Sequence, residues 1–129
     1  SDIDWLNSGI FDEFPQVQFW DYTKVLRYLT RLDDLKRQGK ALNYHLTFSA
    51  TESNRIECLE ALYLGYNVAV VFRSELPAFY FGSDVIPGDN TDWRWIDRCG
   101  PGGRGVVVGL TAKGRAKRDQ TGFVVDLSG

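Results

Sequence analysis

Polar side chains that could bind a ligand follow three segments whose composition is typical of β-strands, residues 17–22, 42–49 and 67–72. Parallel strands deliver their carboxyl ends to one edge of a sheet, and open α/β sheets and (β/α) barrels bind their ligands at that edge. The sequence therefore predicts a site for a small anionic or nucleotide-like ligand, formed by Asp21, Thr23, Lys24, Ser49, Thr51, Glu52, Asn54 and Arg73.

The first two strand ends also have a structural interpretation. Lys24 could place a point charge on a phosphate or carboxylate, while Thr23 could serve only to cap the following helix. The hydroxyls, carboxylate and amide of residues 49–54 suit a pocket for a sugar, a nucleotide or an amino acid. Capping of the next helix explains one or two of these polar residues, but it does not explain the whole cluster.

Arg73 directly follows the most buried of the predicted strands. A guanidinium group in that position needs a counter-charge, because burying an unpaired charge is costly. A bound anion would supply the counter-charge, which makes Arg73 the best single candidate for anion binding. Asp21, Glu52 or Glu75 could equally supply it from within the protein.

Composition and charge limit the classes of protein that fit. A chain of 129 residues is typical of one domain, and its net charge of −2 provides no overall positive field for sequence-independent nucleic-acid binding. No segment approaches the roughly 18 apolar residues that would span a bilayer, and the first residues lack the order of a signal peptide. We therefore expect a cytoplasmic protein that does not associate with membranes.

The apolar periodicity predicts a single α/β domain over residues 1–129, with a βαβαβ core and a mostly parallel sheet, either open or a partial (β/α) barrel. A short first helix with Asp2 as its N-cap should end at Pro15, and the two crossover helices should end at Gly39 and Gly65. Residues 105–110 form a further strand, which a long irregular loop precedes.

A row of polar residues lies on one face of the predicted second strand: Asn43, His45, Thr47 and Ser49. His45 is the only histidine, so a catalytic triad or a histidine-ligated metal would have to use it, but its mid-strand position favours a structural role. The row must meet water, a ligand, a hydrogen-bonded network or another chain. We therefore expect either a cleft along it or a homodimer interface across it.

Two further groups carry functional alternatives. Asp89 and Asp92 in the long loop could bind Mg²⁺ or Ca²⁺, although their spacing does not match an EF-hand. Four basic residues near the C-terminus could contact nucleic acid weakly, or they could form a solvated surface: Lys113, Arg115, Lys117 and Arg118. Cys58 and Cys99 have no Cys or His near them at metal-ligand spacing, which favours free thiols over a zinc site.

Five sequence blocks in this order resemble the C-terminal portion of phage- and plasmid-borne proteins of the gene product 88 kind, a family without an assigned activity: FPQVQFWDYTK, LNYHLTFSATESN, NVAVVF, VIPGDNTDWRWID and GVVVGLTAKGRAKRDQTGFVV. The resemblance implies that the blocks are successive pieces of a barrel-like sheet, and that the chain could be the C-terminal part of a longer protein. It also implies that longer members of the family have an N-terminal portion with a cysteine-containing segment, suggestive of an iron–sulfur cluster or a radical-type barrel, which this chain lacks. Cys58 and Cys99 alone cannot hold such a cluster, so the cofactor stays unknown.

Three hypotheses follow for a phage- or mobile-element-related α/β domain of unknown activity. The first is binding of a small anionic or nucleotide-like ligand, with or without catalysis, at the carboxyl edge of the sheet. The second is a nucleic-acid-interacting accessory protein that uses its basic tail. The third is an assembly component that contacts other proteins through the aromatic-rich loop at residues 79–95.

Overall fold

The computed structural model of the chain describes residues 9–88, 104–112 and 123–127. Three helices are present in this part of the chain: α1 (Ile10–Glu13), α2 (Leu26–Arg37) and α3 (Arg55–Tyr63). The strands are β1 (Phe19–Thr23), β2 (Tyr44–Ser49), β3 (Val68–Phe72), β4 (Phe79–Tyr80), β5 (Ser83–Pro87), β6 (Val107–Thr111) and β7 (Val124–Val125).

The seven strands that lie in the described residues form one sheet in the order β1-β2-β3-β6-β5-β4, with β7 beside β3. All neighbouring strands are parallel except β4 and β5, which form an antiparallel hairpin. Because β1 and β4 are the outer strands of this order, the sheet is open. The predicted α/β class with a mostly parallel sheet is confirmed, in its open form.

Helices α2 and α3 lie on the same face of the sheet, since they contact each other as well as β2. This arrangement follows from the right-handedness of βαβ crossovers, because β1, β2 and β3 advance across the sheet in one direction. The apolar sides of both helices join one buried cluster with β2 and β3, built around Leu29, Leu32, Leu62, Phe48 and Phe72. No helix in the described residues is long and apolar enough to cross a membrane.

The crossover helices end close to where the glycines predict. Gly39 adopts a φ of +77° directly after α2, and Gly65 adopts a φ of +96° after α3. A left-handed residue at this position ends a helix, and glycine adopts it at the least steric cost. The first helix also stops before Pro15, although its predicted cap Asp2 lies outside the described residues.

The described residues that follow β3, 73–88, are more regular than the sequence predicts. They contain β4 and β5, joined by a two-residue turn at Phe81 and Gly82, with Tyr80 paired to Ser83. Both turn residues have positive φ, +53° and +73°, as a type I′ hairpin turn requires. Position Phe81 is unusual, because a bulky residue seldom occupies the left-handed region.

Candidate functional site

Strand β3 changes its neighbour at the carboxyl edge of the sheet. Its first two residues pair with β2, where Ser49 lies opposite Ala69, whereas Val71 pairs with Val124 of β7. Strand β2 therefore leaves β3 at this point, and β7 occupies the place beside β3. Open α/β sheets bind their ligands outside the carboxyl ends of the strands, which is the edge where this change of neighbour occurs.

A cavity of about 170 Å³ lies at this point of divergence. Its walls come from the end of β2, the start of α3, the hairpin turn between β4 and β5, and the segment that includes β7. The lining residues are Ala50, Thr51, Glu52, Arg55, Val70, Tyr80, Phe81, Phe123 and Val125. The cavity therefore combines three aromatic side chains, one of them the phenol of Tyr80, with one cation, one carboxylate and one aliphatic hydroxyl.

Two cations lie over aromatic rings of this cavity. The guanidinium carbon of Arg55 is 5.4 Å from the centre of the Phe81 ring, and Nζ of Lys24 is 5.5 Å from the centre of the Phe123 ring. Both distances are in the range of cation–π contacts. Within the described part of the chain, no carboxylate lies within ion-pair distance of either cation. Their charges are therefore not neutralised by a neighbouring acidic side chain there.

Two of the aromatic side chains that line the cavity, Tyr80 and Phe81, are positioned by packing against the core. The Tyr80 ring packs edge-on against Phe72 with a centroid distance of 5.1 Å, and it contacts Phe81 at 4.5 Å. Phe72 is fully buried at the end of β3. These ring contacts position the Phe81 side chain at the cavity. The Phe81 backbone lies in the strained left-handed region.

Several polar residues after β2 form hydrogen bonds within their own loop. The side chain of Asn54 accepts a hydrogen bond from the Thr51 N–H at 2.7 Å and donates one to the Ser49 carbonyl at 3.0 Å. Asn54 is the N-cap of α3 by position, but its side chain makes no capping bond to that helix. These bonds shape a tight loop, which leaves Thr51 and Glu52 in the cavity wall.

Arg73 has an internal partner. Its Nε lies 3.1 Å from Oδ2 of Asp126, and its backbone N–H donates to the Val125 carbonyl at 2.8 Å. The sequence suggested Asp21, Glu52 or Glu75 as the internal partner, but this ion pair is with Asp126, because β7 brings Asp126 to the end of β3.

The residues at the end of β1 separate from one another. Thr23 is buried, and its hydroxyl accepts a hydrogen bond from the Val25 N–H at 3.1 Å. Val25, and not Thr23, is the N-cap of α2. Asp21 lines a different cavity on the outer side of β1. Lys24 contacts the segment of β7 through Phe123.

Two of the four residues in the polar row of β2, Asn43 and His45, have side-chain hydrogen bonds within the chain. The buried Asn43 amide donates to the carbonyls of Phe11, Phe14 and Val17 at 3.1, 2.9 and 2.7 Å. His45 Nε2 lies 2.7 Å from Oε1 of Gln18, and burial, reinforced by the positive charge of Lys36, lowers the pKa of His45 to about 4. The histidine is therefore neutral at physiological pH and has a structural partner.

Cys58 is buried in α3, where its thiol donates to Asn54 at 3.3 Å and burial raises its pKa to about 12. Such a thiol is unreactive. No cluster of three or more metal-ligating side chains is found among the described residues. The remaining predicted positions lie outside those residues and stay predictions: Asp89, Asp92, Cys99, Lys113, Arg115, Lys117 and Arg118.

The cavity thus contains two of the eight predicted residues, Thr51 and Glu52, with Lys24 beside it. Sequence reasoning missed the other seven lining residues, which include all of the charged and aromatic side chains besides Glu52: Arg55, Tyr80, Phe81 and Phe123. Arg55 directly follows the predicted polar cluster, so extending that cluster by one residue would have included it. No local pattern connects the aromatic residues to the cavity, because they come from a hairpin and a strand distant in the sequence.

The fold defines an open α/β protein with a mostly parallel sheet and a candidate ligand cavity at its carboxyl edge. The family model described as Gene product 88 matches residues 1–127, so the chain belongs to the gene product 88 family. The family's name is of the kind given to phage proteins. Because the match spans nearly the whole chain, the expectation that it corresponds to the C-terminal portion of the family is inaccurate. Comparisons with curated proteins and with solved structures find no significant match.

Proposed function

We propose that this phage- or mobile-element-type domain binds a small anionic, nucleotide-like ligand in the cavity at the carboxyl edge. The observation that carries the proposal is the pair of cations over aromatic rings, Arg55 over Phe81 and Lys24 over Phe123. A phosphate would supply both cations with a counter-charge, and the rings offer flat apolar surfaces to a base.

The other wall residues suit the remaining parts of a nucleotide. The Thr51 hydroxyl can donate and accept hydrogen bonds, and the Glu52 carboxylate can accept them from sugar hydroxyls. The same carboxylate disfavours a ligand that carries negative charge at every point. The ligand therefore has an anionic end near the cations and neutral hydroxyl groups near Glu52.

The size of the cavity limits the ligand to a small one. Its volume of about 170 Å³ is below the roughly 300–1,000 Å³ of pockets that enclose drug-sized molecules. One nucleoside monophosphate, partly outside the cavity, fits better than a dinucleotide. A single occupied cavity with part of the ligand in solvent predicts an affinity in the micromolar to millimolar range.

The experiment is a calorimetric titration of the full chain with the four ribonucleoside monophosphates, the matching nucleosides and inorganic phosphate. At least one monophosphate should bind about tenfold more tightly than its nucleoside, because charge-assisted contacts are worth about 1.5–3 kcal/mol before solvent screening. Arg55→Gln and Lys24→Gln should each remove most of that difference. Arg27→Gln is the matched control, because Arg27 lies over the Tyr28 ring at 5.5 Å but does not line the cavity.

Two results would overturn the proposal. The first is the absence of binding for every monophosphate at millimolar concentration. The second is binding in which the nucleoside equals the monophosphate and Arg55→Gln behaves like the Arg27→Gln control. Either result would show that the two cations do not select an anion.

A second candidate is a role in assembly, favoured by exposed apolar side chains on two elements. Phe79 of the hairpin is 67% exposed, and Ile56 and Tyr63 of α3 are 70% and 76% exposed. Ile56, Leu59 and Tyr63 recur at helical spacing, so they form one outward stripe. Sedimentation velocity tests it: self-association should weaken in Ile56→Glu and in Phe79→Glu, and a concentration-independent monomer excludes a homodimer.

A further inference from the structure

A separate cavity of about 280 Å³ lies at the amino edge of the sheet, where the turn after α1 meets the segment between α2 and β2. Its wall includes Asp12 of α1, Pro15 in the turn, and Leu42 and Asn43 directly before β2. The cavity at the carboxyl edge follows the other end of β2, and no residue lines both cavities.

The wall of this second site carries a carboxylate. Oδ1 of Asp12 accepts a hydrogen bond from the Ala41 N–H at 3.2 Å, which ties α1 to the segment before β2. In the part of the chain that the structure describes, no cation lies within ion-pair distance of Asp12. Lys36 donates instead to the Leu42 carbonyl, at 3.5 Å. The carboxylate therefore brings to the cavity a negative charge that no ion pair neutralises.

The same wall carries a hydrogen-bond acceptor without a donor. Asn43 is only 6% exposed, and its amide nitrogen donates to the carbonyls of Phe11, Phe14 and Val17. Its Oδ1 accepts no hydrogen bond from any of the described residues. Because three carbonyls occupy the nitrogen side of the amide, the oxygen is the polar atom that Asn43 offers to the cavity. A buried acceptor of this kind needs a donor from a ligand or from water.

The carboxylate and the amide oxygen select a ligand by its charge and its donors. A quaternary ammonium has no N–H, so it would leave Oδ1 of Asn43 without a donor. A primary ammonium has donors but is strongly hydrated, which the apolar side chains of Pro15 and Leu42 disfavour. A guanidinium group carries several N–H donors on a planar, weakly hydrated cation, so it suits the carboxylate, the amide oxygen and the apolar wall together.

We propose that this cavity binds a guanidinium group, which belongs either to a small organic cation or to an arginine side chain of a partner. The planar group donates to the Asp12 carboxylate and to Oδ1 of Asn43, and its faces lie against the apolar part of the wall. The site is independent of the nucleotide-like ligand proposed above, because the two cavities have separate walls.

The test titrates the full chain with ethylguanidinium, ethylurea and tetramethylammonium at constant ionic strength, followed through the NMR signals. Ethylurea has the shape and the donors without the charge, and tetramethylammonium has the charge without the donors. Ethylguanidinium should bind at least about threefold more tightly than either, because it alone makes charge-assisted hydrogen bonds. The largest shifts should occur at the Asn43 side-chain amide and the Ala41 N–H. A concentration of about 20 mM is far below the molar range in which guanidinium unfolds proteins.

Two blocked tripeptides then identify the source of the group. One has arginine between two glycines, and the other has citrulline there, whose neutral urea replaces the guanidinium. The arginine peptide should bind more tightly than the citrulline peptide. If it also binds more tightly than ethylguanidinium, the source is a protein partner, and if it binds more weakly, the source is a small cation.

The variant Asp12→Asn assigns the preference to this cavity. It keeps the acceptor for the Ala41 N–H but removes the charge, so it should reduce the preference for ethylguanidinium over ethylurea at least about twofold. The factor is modest because Asp12 is exposed and its charge is screened. Asp84→Asn is the matched control, since it removes the same charge from an exposed position on β5.

Three results would each overturn the proposal. The first is binding of ethylguanidinium that is no tighter than binding of ethylurea or of tetramethylammonium. The second is the absence of ethylguanidinium binding at about 20 mM, close to the weakest affinity worth assigning. The third is an unchanged preference in Asp12→Asn.

Discussion

Arg73 at the end of β3 is joined to Asp126 after β7, with Nε and Oδ2 separated by 3.1 Å. The backbone N–H of Arg73 also donates to the Val125 carbonyl, so two contacts fasten the same short segment. That segment begins with Phe123, which lines the cavity and lies under Lys24. The ion pair therefore positions a wall of the candidate site.

Asp126→Asn should loosen this wall. The pair is partly exposed, so we expect a loss of less than about 1 kcal/mol in the free energy of unfolding. Amide hydrogen exchange in residues 123–127 should nevertheless become faster, because a two-residue strand has few other bonds. Binding of the monophosphate should weaken about two- to fivefold with the loss of the ordered Phe123 ring.

The matched control for this variant is Asp33→Asn, which breaks the exposed pair between Asp33 and Arg37 on α2. It should leave both exchange in residues 123–127 and ligand binding unchanged. Unaltered exchange in Asp126→Asn would mean that the backbone bonds alone hold β7.

The sequence predicts the elements whose signals are local. The stripe of α2, the strict alternation of β2 and the left-handed glycines after the helices all follow from residues within one turn or one strand. The sequence does not predict β7, because two residues have no periodicity and its position depends on pairing with β3, more than fifty residues earlier. The hairpin of β4 and β5 was missed because Phe81 and Gly82 are not one of the common type I′ pairs.

Those residues of the candidate site that have local signals could also be predicted from the sequence. The edge that carries the cavity follows from the parallel strands, and Thr51 and Glu52 follow from the strand end. Asn54 and Thr23 are polar for local reasons, since their side chains bond to nearby backbone groups. A sequence does not distinguish those two uses of a polar residue, because loop formation and ligand binding require the same donors and acceptors.

Asn43→Ala should be strongly destabilising. The Asn43 amide nitrogen serves three carbonyls with two hydrogens, so one hydrogen is shared, and its loss leaves those carbonyls short of donors. We expect a loss of about 2–4 kcal/mol in the free energy of unfolding, measured by urea denaturation. Gln38→Ala, at an exposed amide, should change it by less than about 0.5 kcal/mol.

A loss below about 0.5 kcal/mol in Asn43→Ala would show that water replaces the amide. Asn43→Asp provides a further check, because it keeps the size of the side chain but removes both donors.

Stability should depend on pH through His45, the only histidine of the chain. Burial lowers its folded pKa from 6.5 to about 4, so the unfolded chain takes up a proton first as the pH falls. The contribution of His45 to the free energy of unfolding is therefore constant above about pH 7. It decreases as the pH falls from 6.5 towards 4. After allowance for partial exposure, the decrease between about pH 7 and pH 5 should be about 1 kcal/mol.

Urea denaturation at several pH values measures this dependence, and His45→Gln should remove it over the same range. Gln18→Ala is the control, because it removes the hydrogen-bond partner and retains the titrating ring. An equal pH dependence in His45→Gln and in the unaltered protein would assign the effect to carboxylates.

Phe81 occupies the left-handed region with a φ of +53° and lines the cavity. Phe81→Ala and Phe81→Gly both remove the ring, but only glycine adopts this backbone without steric cost. The glycine variant should therefore be more stable than the alanine variant by about 1 kcal/mol, the reverse of their usual order in regular structure. Both variants should lose monophosphate binding at least about fivefold, because the surface under Arg55 is gone. Thermal denaturation and calorimetric titration of the two variants measure both effects.

If Phe81→Ala were the more stable of the two, the backbone would carry no strain at this position. If both variants bound the monophosphate as well as the unaltered protein does, the ring would serve the hairpin alone.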